Sequence, residues 1–129
     1  RRPNAVRPWQ HVLEPLAGYM SLAEKLWENP SLAGAYNFGP LAHEAATVCE
    51  VVELARSAYG CGEVVYGSGN DGPREEDSLR LEVDKARTVL GVAPRWPLAA
   101  AVGRTMRWYR GHANAKDARA LCETDIAGM

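Results

Sequence analysis

VRPWQHVLEP, residues 6–15, sets an arginine, an indole, an amide, an imidazole and two prolines ahead of a long apolar-periodic segment. Gln10 to Leu13 is either a short strand or the lead into a helix. Behind it Leu13, Leu16, Met20, Ala23 and Trp27 recur at helical spacing, and Pro30 and Gly34 close the run, which predicts a helix over 13–28. AYNFGP, residues 35–40, is short, aromatic and ended by Gly-Pro, the signature of a buried strand. Thr47 with Glu50 three residues on forms a capping box. The stripe Val48, Val51, Val52, Ala55 and Tyr59 follows it, and Gly60 stands where a C-terminal cap belongs.

Further along, EVVYG (63–67) and LRLEV (79–83) read as β-branched or alternating strands. Asp84 is placed to cap a short helix ending at Gly91. Pro97 opens a longer helix carrying Leu98, Ala101, Val102, Thr105 and Tyr109 on one face, with a stop near Gly111. A last short helix runs from about Lys116 to Leu121. The order is helix, strand, helix, strand, strand, helix, helix. The expected fold is therefore α/β with few strands, in one domain over 1–129, and its thin sheet leaves edges and apolar helix faces in want of a partner.

Composition narrows the function. Hydrophobic residues make up 47% and charged residues 24%, enough for a packed core and unlike a disordered chain. A net charge of −1 gives no electrostatic reason to expect nucleic acid or an anionic membrane. No apolar run is long enough to span a bilayer. Cys49, Cys61 and Cys122 are odd in number and lack zinc-like spacing, so reduced thiols and a cytoplasmic location are expected. The chain opens Arg1-Arg2-Pro3 without an initiator Met and reads as a piece of something longer.

Catalytic signatures are scarce. There is no G-x-S-x-G elbow and no Walker loop, and His11, His43 and His112 have no metal-ligand spacing. GSGNDG (67–72) would let backbone amides approach an anion, but no helix start follows it directly, so a flexible loop is the better reading and no dinucleotide cradle is expected. Glu75, Glu76 and Asp77 read as a solvated acidic face rather than as catalytic carboxylates. By its physics the chain offers a binding surface and no catalytic residue or metal site.

The opening stretch carries a resemblance. RPNAVRPWQHVLEPLAGYMSLAEKLW (2–27) followed by YNFGP (36–40) resembles the C-terminal part of the CDP-glucose 4,6-dehydratases, a branch of the extended short-chain dehydrogenase/reductases. RLEVDKARTVLGVAPRW (80–96), RTMRWYR (104–110) and DARALCETDI (117–126) are similar to later segments of that family. The weakest part of the match lies between about Leu41 and Asp77. The resemblance implies a few-stranded α/β substrate-binding portion without the NAD-binding Rossmann half, whose glycine motif and Tyr-x-x-x-Lys pair would precede Arg1. It implies that NAD is the cofactor of the full-length family and of no residue here, and that the parent activity is that of a lyase.

The ligand so implied is a nucleotide-diphosphate sugar such as CDP-glucose. Arg7 would reach the pyrophosphate, a task that suits an always-charged planar fork of donors. Trp9 would wall the pocket near base or ribose. In the loop PREEDSL (73–79), Glu75 matches the family, Arg74 replaces a histidine, and Asp77 and Ser78 replace a histidine and a tyrosine. That exchange adds negative charge near an anionic ligand, which weakens binding. Each residue also has a plainer role: Trp9 as the core residue seating the next helix, His11 as a satisfied structural histidine, Arg7 as a surface arginine.

Two functions follow. One is a substrate-binding portion of a dehydratase-like enzyme, inactive alone. The other is a free-standing repurposed tail, a small binding or homo-oligomeric interaction module that covers its open edge and apolar face by self-association.

Overall fold

Thr47 begins the organisation of the chain. Its side chain accepts from the Glu50 backbone N–H at 3.2 Å, and the Glu50 carboxylate accepts from the Thr47 N–H at 2.8 Å. The bond from the Thr47 backbone, and after it one from the Thr47 hydroxyl at 2.7 Å, hold the Glu50 carboxyl below its usual range. In a computed structural model describing residues 2–67 and 76–129, this box opens a helix at Val48–Tyr59. Gly60 ends it at φ 92°, a left-handed conformation that glycine adopts without a Cβ penalty. The first-turn amides of Val48 and Cys49 donate to the carbonyls of Ala5 and Pro3 at 3.0 and 2.8 Å, which ties the start of the helix to the start of the chain.

The described elements, in order, are β1 (Val6–Arg7), α1 (Leu13–Glu28), β2 (Ala46–Thr47), α2 (Val48–Tyr59), α3 (Asp84–Leu90), α4 (Leu98–Ala113) and α5 (Ala118–Ala127). Single 3₁₀ turns stand at Pro30–Leu32 and Ala42–Glu44. β1 and β2 pair antiparallel with Val6 opposite Thr47 and Arg7 opposite Ala46, while a parallel bridge joins Val6 to Ser78. α2 packs along α4, and α5 folds back on α4. Ala5, Ala46, Ala86, Leu90 and Ala101 are the buried apolar residues; none of the described large side chains is fully enclosed.

The fold is thus mostly helical, with one small sheet where three strands were expected. Residues 35–40, 63–67 and 79–83 enter no ladder among the described residues beyond the bridge at Ser78. Side chains take the places a neighbouring strand would fill. Gln10 Nε2 donates to the Phe38 carbonyl at 2.9 Å, Lys85 Nζ to that of Ala35 at 2.9 Å, and Asn37 Nδ2 to that of Glu82 at 3.1 Å. Residues 63–67 lie against α2 through a 3.2 Å contact of the Tyr66 hydroxyl with Cys49 Sγ. Two helix boundaries also differ. Asp84 is the first residue of α3 rather than its cap, and its amide donates to the Glu82 carboxylate at 2.6 Å. α4 runs past Gly111, because that glycine serves close packing: a Cβ there would stand 2.9 Å from Leu121 Cδ2.

α4 stops two residues later, by a Schellman motif. Lys116 N–H reaches the Gly111 carbonyl at 3.1 Å and Ala115 N–H that of His112 at 3.0 Å. The left-handed position this requires falls on Ala115, at φ 59°. An alanine there is disfavoured by about 1 kcal/mol or more, offset in part by the greater freedom of glycine in the unfolded chain. Ala115→Gly is expected to raise stability by about 0.5–1 kcal/mol in denaturant unfolding. A loss of stability would contradict the motif.

Candidate functional site

The polar groups of the opening stretch each tie down a different piece of the chain. On β1, Arg7 donates from Nη1 to the Val6 carbonyl at 2.8 Å, and its side chain is half-buried. Trp9 Nε1 donates to the Ala46 carbonyl of β2 at 3.0 Å, so the indole's one donor is engaged with the sheet. Gln10 holds residue 38. His11 is buried, at 5% exposure. Its Nδ1 accepts from the Leu13 amide at 3.3 Å, and its ring meets the edge of Trp96 at 4.9 Å. Burial holds its pKa below the ordinary histidine value; Arg104 acts in the same sense, while Asp125 and Glu14 oppose it. This matches the reading of His11 as a structural residue.

Glu14, three residues on and 7% exposed, is the centre of the arrangement. Its carboxylate accepts the backbone N–H of Arg95 at 3.0 and 3.1 Å and that of Trp96 at 2.8 Å. Glu44 adds a second carboxylate, accepting from the Leu98 amide at 2.7 Å. Pro97 offers no side chain to cap α4, so these two acids, from α1 and from the 42–44 turn, satisfy the amides that lead into it. Sequence reading missed both, since neither lies near α4 in the chain. Arg104 lies over the Trp96 ring at 4.2 Å and pairs with Asp125 at 3.5 Å, extending the cluster to α5.

Of the four expected ligand contacts, Arg7 lies on β1 and Trp9 two residues beyond it, while Arg74 and Glu75 lie outside the described residues. The far end of their loop is placed. Val6 N–H donates to the Asp77 carbonyl at 2.8 Å, and Leu79 N–H donates to the Val6 carbonyl at 3.1 Å. Residues 77–79 therefore return to β1 one residue from Arg7. Asp77 is almost fully exposed and pairs with Arg2 at 3.4 Å. Among the described residues no group of three or more His, Cys, Asp or Glu is placed to hold a metal ion, and no helix is long and apolar enough to cross a membrane. The three cysteines are free thiols.

No family model matches the chain. A curated protein does. The chain is similar to CDP-glucose 4,6-dehydratase. It is 34% identical to the enzyme of that name from Salmonella typhimurium over 128 residues. The match takes in 98% of the chain and 36% of the relative, so the chain spans about a third of that protein's length. Similarity to that dehydratase thus extends from the opening arginine stretch through α5, including the part of the chain where the motifs are weakest.

Proposed function

We propose that these residues form the nucleotide-sugar-binding portion of a dehydratase-like enzyme, with CDP-glucose as the ligand class and Arg7 as the main phosphate contact. The observation that carries this reading is the similarity to CDP-glucose 4,6-dehydratase along 98% of the chain. The return of residues 77–79 to β1 supports it, because the chain comes back beside Arg7 just after the second segment named for ligand contact. Trp9 would act there as a rigid wall, its ring held by the bond to Ala46. The role proposed for these residues is binding. The sequence holds no Tyr-x-x-x-Lys pair, and the next described helix after the glycines of 67–72 begins only at Asp84.

A second reading, an interaction module, is favoured by the apolar stripe on the outside of α1 and its lead-in. Val12, Met20 and Trp27 are 64%, 75% and 90% exposed. One comparison separates the two. Calorimetric titration of CDP-glucose should show binding that Arg7→Ala weakens about ten- to a hundred-fold, the worth of a charge-assisted phosphate bond of roughly 1.5–3 kcal/mol. Arg7→Lys should recover only part, since a point charge cannot reproduce the fork. Equal affinities would make Arg7 a bystander. No binding to the wild type, together with self-association in sedimentation, would favour the interaction module.

A further inference from the structure

Several of the described arginines are matched with acids. Arg56, Arg87 and Arg119 pair with Glu53, Asp84 and Glu123 at 2.8–2.9 Å, and Arg104 with Asp125 at 3.5 Å. Arg107, Arg110 and Lys116 differ: among the described residues none of the three makes an ion pair. All three line one cavity of about 620 Å³ between α4 and α5. A concave surface carrying unpaired charge of one sign concentrates ions of the other, and the volume is that of a small-molecule site. The carboxylate that also lines the cavity belongs to Asp125 and is offset by Arg104.

Two further features point the same way. Gly103 lies inside α4, where glycine is less favourable than alanine. No packing explains it, because a Cβ there would meet nothing within 4 Å. It lines the same cavity and leaves the helix backbone open to whatever enters. Trp108 supplies a fixed wall: its ring stacks on His112 at 5.2 Å and 8°, and its Nε1 donates to Cys122 Sγ at 3.4 Å.

We infer that the α4–α5 cavity binds a diphosphate group, held by the forks of Arg107 and Arg110 and by the Lys116 ammonium. Three cations suit the charge of a diphosphate better than that of one monoanion, and guanidinium forks match phosphate oxygens in pairs. The cavity is separate from the Arg7 edge. Ala58, which lines it, stands ten residues along α2 from Val48, a rise of roughly 15 Å.

The test uses inorganic pyrophosphate and ADP, titrated by calorimetry at low salt. Pyrophosphate should bind the wild type and Arg7→Ala alike. The double variant Arg107→Ala/Arg110→Ala should lose at least about ten-fold in affinity, as should Gly103→Leu, which fills the cavity while keeping the melting temperature. Tighter binding of ADP than of pyrophosphate, lost in Trp108→Leu, would assign the diphosphate to a nucleotide; equal binding would assign it to the free ion. Absence of binding up to millimolar pyrophosphate overturns the inference. So does loss of binding in Arg7→Ala, or wild-type affinity in Gly103→Leu. Because CDP-glucose also carries a diphosphate, its titration is repeated in Arg107→Ala/Arg110→Ala: binding there that is lost only with Arg7→Ala belongs to the β1 edge, so each reading can fail alone.

Discussion

Glu14→Ala should destabilise the chain by about 3 kcal/mol, lowering the melting temperature by roughly 10 °C. The carboxylate accepts the amides of Arg95 and Trp96 in a part-buried setting. Removing it leaves two backbone donors with nothing in reach, each costing about 1–3 kcal/mol. Glu14→Gln keeps one acceptor oxygen and should lose about half as much. The helical signal should fall along with stability, since residues 95–98 would no longer be held at the start of α4. A melting temperature unchanged in Glu14→Ala would mean that water serves those amides as well as the carboxylate does.

The second large effect is expected at Gly18. This buried glycine of α1 faces the Phe38 ring so closely that an added Cβ would stand 2.5 Å from Cδ1 and 2.8 Å from Cε1. The ring cannot swing away cheaply. Its backbone is held by Gln10, its edge packs on Tyr19 at 5.4 Å, and the next residue, Gly39, presses on Leu81 with 2.9 Å available to a Cβ. Gly18→Val should therefore cost about 3 kcal/mol, and Gly18→Ala about 1–2 kcal/mol even though alanine is the better helix former by about 1 kcal/mol. Thermal unfolding of both variants decides it. A rise in melting temperature for Gly18→Ala would show that residues 35–40 are free to move off α1.

These two sites also show what was readable in the chain. Thr47 and Glu50 announced α2 because both halves of the box are local, and Gly60 announced its end because only a left-handed turn explains a glycine there. α1 and α4 followed from their spacing. The extended segments did not: alternation and β-branching describe a chain that is stretched, and nothing in 35–40 says that side chains from residues 10 and 85 will occupy its carbonyls. The cap of α4 was equally hidden, since Glu44 and Glu14 stand 54 and 84 residues before Leu98. As for the site, Arg7 and Trp9 were singled out through resemblance, and their adjacency to the returning 77–79 segment required the three-dimensional structure. RTMRWYR was read as an amphipathic helix; that two of its arginines lack acids among the described residues is a property of the neighbours, not of the motif.

The long-range caps of α4 bear on the order in which the chain can fold. Helices ordinarily form early because their contacts are local. The first turn of α4 instead waits for loops of 54 and 81 residues to close, from Glu44 and Glu14. Closing such loops precedes any reward from the bonds that end them, which slows folding relative to a bundle of locally capped helices. α4 is thus a late-completing element, and it locks two distant parts of the chain as it completes. The start of α4 is thereby coupled to α1 and to the 42–44 turn, so the three are expected to lose their order together.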